Sequence, residues 1–153
     1  MPIVQTKFFG DLDYGDEAIF RFPAGLPGFE DHHDFVFLRK PGLEPLMFLQ
    51  SRDTRNLCFI LLPIFAIDKA YRLELTLEEI SEIGLAVEHP PVIGADILCA
   101  AMVSGGEGTG ATANLMAPIV VNLHNNTGMQ VIHPETCYSH RHPLLPAESL
   151  PPC

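Results

Sequence analysis

Prolines are spread along the whole chain and limit what it can fold into. There are 14 of them in 153 residues. Each proline fixes φ and removes a backbone N–H donor, so long helices have little room. Ten phenylalanines, together with frequent valine and isoleucine, suit pleated and half-buried surfaces instead. The sequence therefore predicts a mostly β fold, an antiparallel, compact, β-barrel-like single domain that is long enough to bury a core.

The segment 112–122 is the longest apolar stretch that carries polar residues at set places. Its residues 119–121 are β-branched, which favours a buried strand. Asn114 and Asn122 flank the apolar centre, and Pro118 indicates an edge position, a bulge or the start of a strand. We expect one central strand here, and we expect it to frame the rest of the fold.

Alternating apolar and polar residues predict the other strands. A first strand over 3–9 and a second over 18–22 flank a turn at 10–16 that is rich in Asp and Gly, which indicates a hairpin. The run 57–62 is apolar on both faces and is expected to be central in the sheet. Further strands are predicted at 35–38, 46–51, 92–103 and 129–133.

One short helix is predicted near 77–83. Thr76 and Glu79 have the spacing of a capping box, and Gly84 can end the helix. The apolar residues of this helix are expected on one face, and they are Leu77, Ile80 and Ile83. The domain is expected to span 1–145, followed by a disordered Pro-rich tail over 146–153.

The first residues lack a basic region followed by an apolar run, so we expect no secretory signal, and the apolar runs are too short to span a bilayer. We therefore expect a cytoplasmic protein with reduced thiols and no membrane partner. Cys58 and Cys99 lie within apolar runs and are expected to be small buried side chains.

The charge is strongly negative. Nineteen acidic residues oppose nine Lys and Arg, giving −10, and no Lys or Arg lies between Arg72 and Arg141. Such a surface argues against direct nucleic-acid binding, because there is little cationic surface to replace counterions. It favours a basic protein partner, although solubility alone would also account for it.

Two stretches resemble chemical sites. The Gly-rich segment 104–110 lacks the Lys and Ser/Thr of a phosphate-binding loop, and is interpreted as a flexible hairpin loop. The second is a cluster with zinc-ligand chemistry, which would suit a metal-dependent or small-ligand-binding β-barrel enzyme. Its members are His133, Cys137, His140 and His142. Histidines scattered in a β protein also produce such clusters by chance, and the sequence shows no catalytic motif, so we expect no enzyme and no cofactor.

Several ordered motifs resemble those of the flagellar assembly factor FliW family. They cover roughly residues 4–145 and comprise Gly25–Glu30 (GLPGFE), Leu49–Ser51 (LQS), Thr112–Asn122, Gly128–Ile132 (GMQVI), and the closing Tyr138, Arg141, Pro143 and Leu144. The resemblance implies a β-barrel-like domain without enzymatic activity. It also implies two partners, flagellin and the RNA-binding regulator CsrA: once flagellin is exported, the freed protein binds CsrA and relieves repression of flagellin translation.

The resemblance also suggests partner-binding residues. Polar residues at motif positions can contact a partner or can fix turns and strand ends, and these are Gln50, Ser51, Asn114 and Asn122. A charged rim facing a basic partner is expected from Asp68, Glu74, Glu78, Glu79 and Glu82. The free protein is expected to be a monomer. The chain departs from the family in its apolar segment 63–68 and its long Gly-rich loop.

Overall fold

The computed structural model describes residues 3–7, 9–86, 90–106 and 110–144. In chain order the strands are β1 (Ile3–Thr6), β2 (Gly10–Asp13), β3 (Ile19–Arg21), β4 (Asp34–Arg39), β5 (Met47–Ser51), β6 (Cys58–Pro63), β7 (Ile97–Gly106), β8 (Gly110–Ala113), β9 (Ile119–Asn122), β10 (Thr127–Gln130) and β11 (His142–Pro143). Two α-helices lie between β6 and β7, namely α1 (Ile64–Ile67) and α2 (Leu77–Glu82), and a 3-10 turn covers Asp16–Ala18.

Seven strands close into a barrel. Their order is β7-β6-β5-β4-β3-β10-β9, and β9 pairs back with β7 to complete the ring. Strands β8 and β11 extend the sheet beyond β7, and β1 and β2 form a separate antiparallel pair. The predicted mostly β, barrel-like fold is confirmed.

The barrel closes through a narrow junction between β3 and β10. These two strands are parallel and meet at a single pair, Arg21 with Thr127, where the Arg21 N–H donates to the Asn126 carbonyl at 2.8 Å. Beyond Arg21 the chain leaves the sheet as the loop 22–33, whereas β10 continues to Gln130. This end of the barrel is therefore covered by a loop, and the mouths of β-barrels are places where binding pockets form.

Strand β9 is buried on both faces, which accounts for its run of β-branched residues. Ile119 and Val121 belong to the cluster that fills the barrel, together with Phe22 and Phe35. Val120 belongs to a second cluster outside the barrel, under the helices, with Ile64, Tyr71, Ile83 and Cys99 among its members. Each fully buried side chain of this size contributes about 1.5–3 kcal/mol to stability. The residues 119–121 therefore contribute to both cores at once.

The segment 112–122 is nevertheless not one strand, and that prediction is wrong. It divides into β8, which ends at Ala113, and β9, which begins at Ile119, with a bend over 114–118 between them. Pro118 directly precedes β9, where its missing N–H removes no bond from the ladder. A proline at the start of a strand and a proline at a bulge give the same sequence pattern, and only the pairing partners distinguish them.

The first predicted hairpin is also wrong. Strand β1 pairs with β2, which lies in the stretch interpreted as a turn, and β3 pairs instead with β4 and β10. Two other predicted strands are shifted along the chain. The strand predicted at 92–103 is β7, which begins at Ile97 and extends through Gly-rich residues to Gly106, and the strand predicted at 129–133 is β10, which covers 127–130. A hairpin at the Gly-rich segment is confirmed by the pairing of Gly106 with Gly110. Residues 107–109 of that predicted loop, and the predicted tail 146–153, lie outside the described residues.

The predicted helix is confirmed, with its capping box. The Thr76 hydroxyl accepts from the Glu79 N–H at 3.1 Å, and the Glu79 carboxylate accepts from the Thr76 N–H at 2.8 Å. The predicted apolar face is right for Ile83, which is fully buried, and wrong for Leu77, which is 76% exposed. Gly84 ends the helix with a φ of +72°. Helix α1, in the apolar segment after Pro63, was not predicted.

Strand β6 lies between β5 and β7, as predicted for a central strand. Leu61 is its one fully buried residue, whereas Ile60 on the other face is 39% exposed. The prediction that both faces are buried is therefore wrong.

Full burial of Cys99 and partial burial of Cys58 make the fold sensitive to alkali. The expectation of a buried side chain is confirmed for Cys99 and is wrong for Cys58, which is half-buried. Burial raises the pKa of Cys99 from 9.0 to about 12 and that of Cys58 to about 11, and burial is also the main cause of a raised pKa for Tyr71. Above the ordinary thiol pKa the unfolded chain releases protons that the folded chain retains. The contribution of these thiols to the free energy of unfolding is therefore fully present below that pKa. It falls as the pH rises, by about 1.4 kcal/mol per pH unit for one fully retained proton.

We expect the urea midpoint to be lower at about pH 10.5 than at about pH 8, and a Cys99→Ala variant to lose less over the same interval. Equal midpoints for the original chain at the two pH values would contradict this expectation.

Candidate functional site

The polar residues of the LQS motif fix the turn between β5 and β6. Gln50 is fully buried, and its Nε2 donates to the carbonyls of Ser51, Thr54 and Arg55 at 3.1–3.2 Å. Ser51 is also buried, and its hydroxyl accepts from the Thr54 N–H at 3.0 Å. Neither side chain reaches the surface, so both have the turn-fixing role that was weighed against partner contact.

Asn122 has a similar internal role. It is 2% exposed, its Nδ2 donates to the Ile83 carbonyl at 2.8 Å, and its Oδ1 accepts from the His124 N–H at 2.9 Å. It therefore joins the end of β9 to the C-terminus of α2. Asn114 differs because it is only half-buried; its Oδ1 accepts from the N–H groups of Met116 and Ala117 at 3.1 and 3.0 Å, which shapes the bend before β9.

The GLPGFE motif forms the loop over the barrel end. The Phe22 N–H donates to the His33 carbonyl at 2.8 Å and closes the base of the loop. Within it Leu26 and Phe29 pair through their backbones, and Leu26 is buried in the barrel core. Phe29 packs edge-on against Phe59 with ring centroids 5.2 Å apart, as expected for a loop anchor, yet it remains 37% exposed.

Three of the sequence motifs meet beside this loop and line one apolar pocket, which we call the mouth pocket. Its volume is about 350 Å³. Its lining comprises Leu26, Pro27 and Phe29 from the loop, Phe59 of β6, Met102 of β7, Asn114, Met116 and Ala117 from the bend, and Gln130 and Ile132 at and after the end of β10. Sequence reasoning missed the pocket as a whole, because its walls come from segments far apart in the chain.

The predicted acidic rim is only partly at the surface. Glu74, Glu78 and Glu82 are exposed, and Glu78 and Glu82 lie four residues apart on α2, hence on one face. Asp68 is half-buried, and its carboxylate accepts from the Ala70 N–H at 2.9 Å.

Glu79 does not belong to that rim. Its side chain is 14% exposed, and its carboxylate oxygens lie 3.0 and 3.1 Å from the His133 Nε2 while also accepting from the Thr76 N–H. Glu79 therefore fastens the first turn of α2 to the irregular segment that follows β10. The expectation of a charged rim that includes Glu79 is corrected on this point.

The predicted Cys and His cluster is not assembled into one site. His133 and Cys137 line a cleft of about 420 Å³, whereas His140 lines a different groove and His142 lies in β11. His133 is held by Glu79, and Cys137 is disulfide-bonded, so the prediction of reduced thiols is wrong for Cys137. Among the described residues no three His, Cys, Asp or Glu side chains are grouped so as to hold a metal ion.

Within the described part of the chain, no helix has both the length and the apolar character needed to cross a membrane.

The comparisons with known proteins all lead to one family. The model of the family described as FliW protein matches residues 3–144. A protein named flagellar assembly factor FliW from Desulfitobacterium hafniense (strain DSM 10664 / DCB-2) is 38% identical over 146 residues, which are 95% of this chain and 92% of the relative. A protein of the same name from Heliobacterium modesticaldum (strain ATCC 51547 / Ice1) is 34% identical, with 95% and 92% covered.

A solved structure leads to the same group. The crystal structure of the flagellar assembly factor FliW superposes with a TM-score of 0.82 at 32% identity, and the match covers 95% of this chain and 98% of the other. The agreement therefore extends to the whole barrel and does not depend on the motifs alone.

Proposed function

Because the chain belongs to the FliW family of flagellar assembly factors, we propose that it acts without catalysis by binding two proteins. One is flagellin, and the other is the RNA-binding translational regulator CsrA. In this proposal flagellin holds the protein in the cytoplasm until flagellin is exported. The freed protein then binds CsrA and relieves the repression of flagellin translation.

The observation that carries the CsrA half of the proposal is the exposed acidic surface of α2. We define the acidic face as Glu78 and Glu82 on α2 together with Glu74, which lies in the segment before the helix. All three are exposed and, among the described residues, form no ion pair. An RNA-binding regulator presents basic groups, and opposite charges across an interface speed encounter and fix orientation. The capping box and the bond from Asn122 to the Ile83 carbonyl fix the backbone of α2, so Glu78 and Glu82 project from a helix that is formed before binding.

Direct binding to purified CsrA and flagellin tests the proposal. We expect a complex with each protein at micromolar concentration. The double variant Glu78→Lys with Glu82→Lys should weaken CsrA binding by at least about tenfold at low salt and should flatten the salt dependence, because attraction becomes repulsion. Calorimetric titration at several salt concentrations measures both effects.

The matched control is Asp11→Lys with Asp13→Lys, which changes the net charge equally at two exposed positions of β2. This control should retain most of the affinity, because a change of net charge alone is screened by salt. Failure of the original chain to bind either protein would refute the proposal. Equal weakening by both double variants would refute the assignment of the acidic face.

A further inference from the structure

We propose that the mouth pocket and the groove beside it form a binding surface for a protein segment that presents an apolar side chain next to a carboxylate. The inference rests on the proposed function in one respect: a protein that binds two partners can use a second surface besides the acidic face. The chemistry of this surface is opposite to that of the acidic face. The described residues around it supply three independent indications of what it binds.

The first indication is the apolar character of the pocket. Eight of its ten lining residues are apolar, and two large ones stay at the surface: Phe29 is 37% exposed and Ile132 is 44% exposed. Adjacent exposed apolar groups around a concavity mark an interaction site, and a buried anchor in such a pocket carries much of an interface's energy. Met102 and Met116 let the walls adapt to the entering side chain.

The second indication is a pair of carboxamides, each fixed by one end only. Gln130 donates from Nε2 to the Ala117 carbonyl at 3.0 Å, and among the described residues its Oε1 has no donor. Asn114 accepts through Oδ1, and within the same residues its Nδ2 has no acceptor. A held acceptor and a held donor beside an apolar pocket match the N–H and C=O groups of a peptide backbone.

The third indication is the charge of the adjoining groove. This groove has a volume of about 550 Å³, shares Met102 and Asn114 with the mouth pocket, and includes His140 and Arg141 in its lining. Arg141 is the single Lys or Arg after Arg72 in the sequence. In the described part of the structure its exposed guanidinium forms no ion pair.

Charge therefore selects the occupant. The chain as a whole carries −10 and repels acidic segments. A carboxylate is favoured where a guanidinium can bind it with two parallel hydrogen bonds. The pocket thus accepts the apolar side chain, the two carboxamides bind the backbone beside it, and Arg141 binds a carboxylate on the neighbouring residue.

Two small peptides test the inference without any assumption about the partner. N-acetyl-Leu-Asp-amide and N-acetyl-Leu-Lys-amide differ only in the charge next to the apolar side chain. Each is titrated into the full ¹⁵N-labelled chain, and amide signals are followed by NMR. We expect the Asp peptide to shift the signals of Phe29, Gln130, Ile132 and Arg141, and to bind about tenfold more tightly than the Lys peptide, because its carboxylate gains a charge-assisted hydrogen bond.

Two variants at exposed positions separate the contributions. Arg141→Gln should remove the preference for the Asp peptide, and Ile132→Asp should remove binding of both. No binding, equal affinities, shifts mapped elsewhere, or a preference that survives Arg141→Gln would each overturn the inference. Flagellin binding by the original chain is measured in parallel, and it keeps the two proposals distinct. Peptide recognition without flagellin binding refutes the flagellin partner alone, whereas flagellin binding without peptide recognition refutes the pocket alone.

Discussion

Replacing Asn122 by alanine is expected to lower the free energy of unfolding by about 1–3 kcal/mol. Asn122 is 2% exposed, and the truncation would remove the shorter of the two side-chain bonds to the Ile83 carbonyl, which is buried, and the bond accepted from the His124 N–H. Buried polar groups that lose a partner incur the full cost of desolvation. The bond to Ile83 also holds the C-terminus of α2 against the barrel, so the proposed binding of CsrA through the acidic face should weaken in parallel.

Asn125→Ala is the matched control. Asn125 donates to the same Ile83 carbonyl, at 3.2 Å, and its Oδ1 accepts from the Thr127 N–H at 2.9 Å, but it is exposed. Water can replace its bonds, so we expect a loss of less than about 1 kcal/mol. Urea unfolding of both variants measures the difference. Similar losses in the free energy of unfolding for the two variants would show that burial does not determine how much Asn122 stabilises the fold.

Local signals in the sequence predicted the parts of the fold that depend on neighbouring residues. The ranges 35–38 and 46–51 correspond to β4 and β5 within one residue, because alternation and turn residues act over short distances. The capping box of α2 was found for the same reason, since Thr76 and Glu79 satisfy one another within one turn.

The predicted strands were wrong where the structure of a segment depends on the strand with which it pairs. Residues 10–13 have the composition of a turn, but they form β2 because the chain reverses earlier and brings β1 beside them. Nothing in the stretch 112–122 shows that its first part pairs with β7 as β8, whereas its second part inserts between β7 and β10 as β9. Such choices depend on contacts between distant residues, which local patterns do not contain.

Motif residues need not be contact residues. Gln50, Ser51 and Asn122 are buried and fix turns or junctions, so the barrel itself gives each of them a structural role. The exposed motif residues Phe29 and Ile132 are different, because no packing requirement keeps them at the surface. The sequence placed them in separate motifs, and only the closure of the barrel brings them together in the mouth pocket.

Replacing Gly25 by alanine should be among the most damaging changes in the loop over the barrel end. Gly25 has a φ of +69°, and a Cβ built there would lie 2.6 Å from the Glu30 Cα and 2.7 Å from the Glu30 carbonyl oxygen. These are backbone atoms, so relief requires a shift of the loop itself. We expect a loss of about 3 kcal/mol or more, combining the cost of a positive φ with that of overpacking.

Gly28→Ala separates those two causes. Gly28 lies in the same loop with a φ of +84°, but a Cβ there meets no atom within 4 Å. Its alanine variant carries the conformational cost alone, about 1–2 kcal/mol. Chemical unfolding gives both losses, and the amide signals of Phe29 and Ile132 report on the mouth pocket. Equal losses would mean that the loop yields easily around Gly25. A larger loss at Gly25, with shifted pocket signals, would tie the first glycine of GLPGFE to the shape of the surface proposed to bind a partner.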